Sequence, residues 1–74
     1  MDIKPYQQRV VGEKKEVDAR LTKLEVFISG KDFNTVDIDE KIRLTTQADI
    51  MRRYSGILSA RIKAFYTKGE GKTG

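Results

Sequence analysis

The sequence predicts an all-α protein, an antiparallel two-helix hairpin that assembles into a helical-bundle homo-oligomer. Two ladders of apolar residues at seven-residue spacing carry this prediction: Ile3, Val10, Val17 and Leu24, then Leu44, Met51, Leu58 and Phe65. When the chain turns back near residue 34, the rungs face each other, because the residue numbers of all four pairs add to the same total. Antiparallel helices that pack along apolar stripes need this register. No useful length of chain alternates with the period of two that marks a strand.

The first helix is predicted over residues 5–29. Pro5 suits the first helical turn, where its missing N–H would have no partner within the helix. Ser29 and Gly30 end the helix, and Gly30 is expected to form a left-handed C-terminal cap. Gly12 costs about 1 kcal/mol relative to alanine in mid-helix. It lies outside the apolar stripe, so it is interpreted either as tolerated or as a point of close approach by another chain.

The connection is predicted over residues 30–37. It contains Phe33 and Val36, which are expected to fold over the open end of the hairpin. Asp37, with Glu40 three residues later, resembles a capping box and predicts the start of the second helix.

The second helix is predicted over residues 38–66, so that the helical hairpin occupies residues 1–66. The remaining residues, 67–74, hold three glycines and almost nothing apolar. They are predicted to form a disordered tail.

The composition excludes several classes of site. The chain has 74 residues and contains neither cysteine nor histidine. Disulfides, thiolate zinc sites, cysteine nucleophiles and histidine-based triads are therefore ruled out. The carboxylates are scattered, without a partner base or metal-ligand spacing, so we expect neither enzymatic activity nor a metal or cofactor. No apolar stretch approaches the roughly 20 residues of a membrane span. The start of the chain lacks a secretory pattern, and a cytoplasmic location is expected.

The charge of the chain is unevenly distributed. The formal net charge is +4, and residues 52–74 carry six basic side chains against Glu70 alone. This third of the chain is expected to attract an anion, whether a phosphate, a nucleic acid or an acidic partner.

The second helix has more apolar surface than the first helix can cover. Ile50, Tyr54 and Ile57 form a second stripe, displaced by roughly 100° from the side that faces the first helix. Phe27 likewise lies outside the main stripe of the first helix. Together these four side chains would form an exposed patch too large for a stable monomer. They are the predicted interface of a dimer or tetramer.

A ligand site is expected where the start of the first helix lies beside the end of the second. Arginine binds phosphate oxygens and an aromatic ring stacks on a base, so these residue types suit a phosphorylated base. The candidate ligand-binding residues are Tyr6, Arg9, Arg61 and Phe65 at this end of the hairpin, and Gln47 and Tyr54, which are expected to line a second polar patch with Arg52 and Arg53. In the alternative interpretation, Tyr6 and Phe65 only pack in the core and Arg61 only pairs with a neighbouring acid.

Residues 5–28 and 44–65 resemble the crAss-phage-related family of short phage-encoded proteins. The resemblance is carried by short pieces along both helices: Gln8-Arg9-Val10, Glu13-Lys14, Asp18, Leu21, Lys23-Leu24, Phe27-Ile28, Gln47, Met51, Tyr54, Leu58 and Arg61-Ile62. Gly12 and Thr45-Thr46 depart from the pattern, which has good helix formers there. The resemblance implies a phage accessory protein that acts in the host bacterial cytoplasm. Its class includes sponges, oligomers that trap cyclic nucleotide signals of bacterial immunity without cleaving them.

The residues and the resemblance together give a leading hypothesis and two alternatives. The leading hypothesis is an anti-defence protein that sequesters a small anionic, cyclic nucleotide immune signal. The first alternative is a protein–protein inhibitor or adaptor of a host defence complex. The second is a nucleic-acid-binding accessory factor, whose affinity would fall steeply with salt.

Overall fold

In the computed structural model, two antiparallel α-helices are joined by a short 3-10 helix. Helix α1 spans Pro5–Ser29, the 3-10 helix spans Lys31–Thr35 and helix α2 spans Ile38–Gly71. The structure describes residues 3–71, and the side chains of residues 3–66. No strand occurs in that range, which confirms the all-α prediction and the helical hairpin. The assembly of hairpins into an oligomer stays a prediction.

The start of α1 is capped by a residue that lies on the apolar side of the helix. The Lys4 N–H donates to Gln7 Oε1 at 2.8 Å, and the Lys4 carbonyl accepts from the N–H groups of Gln7 and Gln8. Gln7 is buried, with 7% of its surface exposed. Since its side-chain oxygen satisfies a backbone donor at the helix start, this polar group can be buried at low cost.

The end of α1 differs from the prediction. Gly30 lies in extended backbone, with φ −92° and ψ 169°, so the left-handed cap is wrong. Its N–H donates to the Phe27 carbonyl at 3.1 Å. A Cβ atom at this position would lie 3.3 Å from the Val26 carbonyl oxygen, so close approach explains the glycine. At Gly12, by contrast, an added Cβ would meet no atom within 4 Å.

The connection closes one end of the hairpin with an aromatic pair. The Phe33 ring lies edge to face against Phe27, with ring centroids 6.0 Å apart. Lys41 Nζ lies 5.6 Å from the centroid of the Phe33 ring, in range of a cation–π interaction. Val36 is half-buried and donates its N–H to the Phe33 carbonyl at 3.1 Å.

The start of α2 uses only half of the predicted capping box. Asp37 Oδ2 accepts the N–H of Asp39 at 3.1 Å, and the Asp37 carbonyl accepts from Lys41. Glu40 Oε1 instead accepts from Arg43 Nε at 2.7 Å. The cap therefore rests on Asp37 alone.

Helix α2 continues past the predicted end at residue 66 to Gly71. No proline interrupts it, and a glycine in a helix costs only about 1 kcal/mol relative to alanine. The predicted tail, residues 67–74, thus begins inside this helix and ends outside the described residues, so its disorder stays a prediction.

The core is a single apolar seam between the two helices. The buried apolar residues are Val10 and Leu21 from α1 and Ala48 and Leu58 from α2, and Leu58 has no exposed surface. Other rungs of the predicted ladders, including Val17, Leu24, Leu44 and Met51, are half-buried. The hairpin therefore has one narrow layer of packing and leaves two long faces, one on each side of the seam.

Candidate functional site

One side of the seam is closed by polar contacts between the helices, and we call it the polar face. Lys14 Nζ donates to Asp18 Oδ2 at 2.6 Å and to Ser55 Oγ at 2.9 Å, and the Ser55 hydroxyl donates to Asp18 Oδ1. Arg52 lies one helical turn before Ser55 on α2, and its Nε binds Glu25 Oε2 on α1 at 2.9 Å. These five residues, Lys14, Asp18, Glu25, Arg52 and Ser55, define the polar face and hold α1 against α2.

The contacts on the polar face change the acidity of Asp18. The hydrogen bond from Lys14 lowers the pKa of the Asp18 carboxyl below its ordinary value, and the hydrogen bond from Ser55 lowers the pKa further. Both donors favour the charged form of the carboxyl group. The charged Asp18 carboxylate therefore binds Lys14 on its own helix and Ser55 on α2.

The opposite side of the seam is the open face. Its residues are spaced three and four apart along each helix, which places them on one side: Tyr6, Arg9 and Glu13 on α1, then Arg43, Gln47, Ile50, Tyr54, Ile57 and Arg61 on α2. A hydrogen bond from the Tyr54 hydroxyl to the Glu13 carboxylate joins the two sets. Ile50 and Ile57 are each 59% exposed and Tyr54 is 40% exposed. Large apolar side chains thus stand in solvent beside arginines.

At one end of the open face, the two helix termini meet as the register predicts. The Tyr6 ring lies edge to face against Phe65, with centroids 6.1 Å apart and planes 81° apart. Tyr6 keeps 49% of its surface exposed, so part of its ring is accessible to solvent. Arg9 and Arg61 are exposed at this end, and among the described side chains neither forms an ion pair. Two cations and two rings therefore share one small region.

The remaining candidate ligand residues do not join this cluster. Gln47, Tyr54 and Arg61 follow one another at seven-residue steps along α2. Each step is about 10.5 Å of helix, so the three side chains extend over about 21 Å. Gln47 Nε2 lies 3.8 Å from Met51 Sδ on its own helix. One chain alone therefore does not gather the six candidates around one small ligand.

A groove lies along the half of the open face that is distant from the Tyr6–Phe65 pair. It has a volume of about 350 Å³ and is lined by Ile42, Arg43, Thr46, Gln47, Ile50 and Met51. Arg43 binds Glu40 through Nε, so its terminal N–H groups stay available at the groove edge. A second groove of similar volume lies at the connection, lined by Lys23, Val26, Phe27, Gly30, Lys31 and Asp32.

The predicted interface residues divide between these regions. Ile50, Tyr54 and Ile57 lie together on the open face, whereas Phe27 lies at the connection and already packs against Phe33. Phe27 is 39% exposed, the smallest exposed fraction of the four.

Sequence reasoning missed Glu13 and Arg43. The hairpin register contains the signal for Glu13, because the numbers of Glu13 and Tyr54 add to almost the same total as the facing apolar pairs. For Arg43, the signal is its seven-residue spacing to Ile50 and Ile57.

Two features are absent from the described part of the chain. Within it, no group of three or more acidic side chains is placed to hold a metal ion. None of its helices combines the length and apolar character needed to cross a membrane.

Comparison with known proteins gives a match to a protein family. Residues 4–64 match the Sequestin family, whose name is consistent with a sequestering, binding role. Neither the curated proteins nor the solved structures yield a match. The resemblance to the crAss-phage-related proteins therefore stays a prediction. Because the matched segment contains all of α1, the connection and most of α2, the chain belongs to the Sequestin family.

Proposed function

We propose that this protein is a phage-derived anti-defence protein that sequesters a small anionic nucleotide, such as a cyclic nucleotide immune signal, without cleaving it. In this proposal the protein works as a homo-oligomer. Capture removes the signal from its host receptor, so the protein needs affinity and abundance rather than catalysis.

One observation carries the proposal: two arginines without acidic partners among the described side chains lie beside the Tyr6–Phe65 aromatic pair, in which Tyr6 is exposed and Phe65 is half-buried. Arg9 and Arg61 offer guanidinium groups to phosphate oxygens. Tyr6, packed on Phe65 at 6.1 Å, offers a held ring on which a base can stack. The sequestering sense of the family name agrees with this chemistry.

Four acidic side chains along the hairpin are already engaged within the chain, which agrees with binding without cleavage. Asp18, Glu25 and Glu40 each pair with a basic side chain of the same chain. Glu13 accepts the Tyr54 hydroxyl. A general base has to be available to take a proton from the attacking group. Asp18, Glu25 and Glu13 are engaged in contacts between the two helices, and Glu40 is engaged within α2.

The exposed apolar residues of the open face support the homo-oligomer. Ile50 and Ile57 each expose more than half of their surface, and Tyr54 exposes 40%. Fully burying a large apolar side chain gains about 1.5–3 kcal/mol, so covering the exposed parts of these side chains would favour association.

The test is isothermal titration calorimetry with a panel of cyclic mononucleotides and dinucleotides, followed by recovery of the nucleotide unchanged from the complex. We expect Arg61→Ala to weaken binding at least about tenfold, because charge-assisted hydrogen bonds to phosphate are lost. The matched control is Arg52→Ala, which removes an arginine that binds Glu25 on the polar face and should leave the affinity unchanged. If an Arg9→Ala/Arg61→Ala double variant binds as tightly as the original chain, the site is misplaced. Recovery of a hydrolysed nucleotide would contradict sequestration.

A second candidate function is inhibition of a host defence protein through the open face. The apolar groove at Ile42, Ile50 and Met51 favours this alternative, because the side chains that contribute most to protein–protein binding fill pockets on the partner surface. A chain that binds no nucleotide but forms a stoichiometric complex with a purified defence protein would establish it. The nucleic-acid alternative is less well supported, since Arg52 and Arg53 of the basic segment are already paired with Glu25 and Asp49.

A further inference from the structure

We infer that two copies of this chain pack α2 against α2 in antiparallel orientation, and that Gln47 and Arg43 of one copy complete the anion site of Arg61 of the other. The geometry of this dimer stands on its own observations. The identity of the bound anion rests on the proposed function.

The first observation is a symmetric ladder on α2. Arg43, Ile50, Ile57 and Ala64 follow one another at steps of seven residues, and so lie along one side of the helix. A two-fold axis between residues 53 and 54 places Ile50 of each copy opposite Ile57 of the other. It also places Arg43 opposite Ala64. A self-complementary patch of this kind is what a two-fold dimer requires.

The second observation is the groove. Its lining residues Arg43, Thr46 and Ile50 are the ones that the two-fold axis places opposite Ala64, Arg61 and Ile57 of the second copy. Ile57 is 59% exposed and would enter the groove as a knob enters a hole. The small side chain of Ala64 leaves room for Arg43. The groove and the projecting side chain therefore fit each other in the same register that the ladder sets.

The flanks of this interface are also compatible. In an antiparallel pair, the edge of α2 nearest to α1 meets the same edge of the second copy. The two Tyr54 rings thus approach each other at the axis, where an aromatic contact is favourable. On the other edge, Arg53 approaches its counterpart, and each Arg53 is paired with Asp49 at 3.3 Å in its own chain, which reduces the repulsion.

The dimer brings together residues that one chain keeps apart. Gln47 and Arg61 lie about 21 Å apart along one helix, but the two-fold axis places Gln47 of one copy within one residue of facing Arg61 of the other. Arg43 of the first copy is then offset from the same Arg61 by about 4.5 Å along the helix axis. Arg43 is paired with Glu40 through Nε in its own chain, and an anion held between its terminal N–H groups and Arg61 would lower the remaining repulsion between the two arginines. Each end of the interface thus forms an anion site built from both chains, and symmetry gives two such sites.

The register is tested by cross-linking in the otherwise cysteine-free chain. Purified Ile50→Cys and Ile57→Cys variants, distinguished by a mass tag, are mixed and treated with a short bismaleimide linker. We expect the cross-linked dimer of the two different variants in at least about tenfold excess over the dimers of either variant with itself. In the antiparallel dimer the cysteine at position 50 of one copy faces the cysteine at position 57 of the other, whereas two cysteines at the same position are about 10.5 Å out of register. Val26→Cys, 67% exposed on α1, is the control and should not cross-link. Equal cross-linking of each variant with itself would indicate parallel packing and overturn the inference. Absence of cross-linking in all mixtures would overturn it too.

A second experiment separates the dimer from its ligand. Inorganic pyrophosphate and a cyclic dinucleotide are titrated into the original chain, into Arg43→Ala and into Arg52→Ala. We expect two sites per dimer, and an affinity at least about tenfold weaker for Arg43→Ala only. Cross-links without any anion binding would uphold the dimer and contradict the proposed function. Tight nucleotide binding by a chain that gives no cross-links would uphold the function and overturn the dimer. Unchanged binding by Arg43→Ala would overturn the site across the interface.

Discussion

The polar face and the open face are built from the same two helices, yet their side chains are satisfied in different ways. On the polar face, Lys14, Asp18 and Ser55 bind one another within the chain. On the open face, Ile50 and Ile57 stay in solvent. An exposed apolar cluster that the chain itself does not cover is typical of an interaction surface. The comparison teaches that one face holds the hairpin together and the other is available to a partner.

The largest expected effect comes from the seam that both faces share. Leu58→Ala should lower the free energy of unfolding by about 2–5 kcal/mol, since a fully buried leucine loses its packing and leaves a cavity. Urea denaturation followed by circular dichroism measures the loss. Val26→Ala, at a position that is 67% exposed, is the control and should change the value by less than about 0.5 kcal/mol. Equal losses in both variants would show that the seam is not the core.

The next largest effect is expected from a substitution on the open face that leaves the polar face unchanged. Ile57→Asp places a charge in the apolar patch, so we expect the oligomer to dissociate to the 8.5 kDa chain while the helix content stays unchanged, because burying an unpaired charge is costly. Size-exclusion chromatography with light scattering gives the mass. Val26→Asp makes the same chemical change on α1 outside the open face and should leave the mass unaltered. If the original chain is monomeric, or if the oligomer persists in Ile57→Asp, the open face is not the interface between copies.

The smallest effect sharpens the role of the polar face. The pKa of Asp18 is lowered in the folded chain, so its contribution to stability is present above the unfolded-state pKa of about 3.9. That contribution is lost as the pH falls through the lower folded-state pKa. Asp18→Asn should therefore flatten the fall in stability on acidification below about pH 4, with no change in oligomer mass. Thermal melts over a series of acidic buffers test this, and melts with the same pH dependence as the original chain would refute it.

The helical hairpin could be predicted from the sequence because it depends on a simple repeat. Apolar residues at seven-residue spacing place Val10 and Leu58 in the seam, and both are buried. Gln7 was missed because hydropathy treats every glutamine as a surface residue, whereas its amide oxygen caps α1. The left-handed cap at Gly30 was a wrong prediction because the 3-10 helix starts directly after this residue in extended backbone.

The site was harder to predict than the fold. Residue types alone selected Gln47 and Arg61 together, but their distance along α2 depends on helix geometry and separates them. The groove beside Ile42 and Met51 carries no residue signature, since its shape arises from side chains that leave space between them. The sequence of one chain does not specify what covers an exposed surface, so the proposed contact between copies is harder to predict than the hairpin.

The narrow seam has a consequence for how the protein persists. A domain with four buried apolar residues in the described part of the chain has little stability in reserve, because small cores supply only a few kcal/mol. Anything that binds only the folded form adds stability by mass action, about 2.7 kcal/mol when its concentration is a hundred times the dissociation constant. We therefore expect the melting temperature to rise with protein concentration and with captured ligand. In a cell, loaded oligomers would outlast the proteolysis that removes empty single chains.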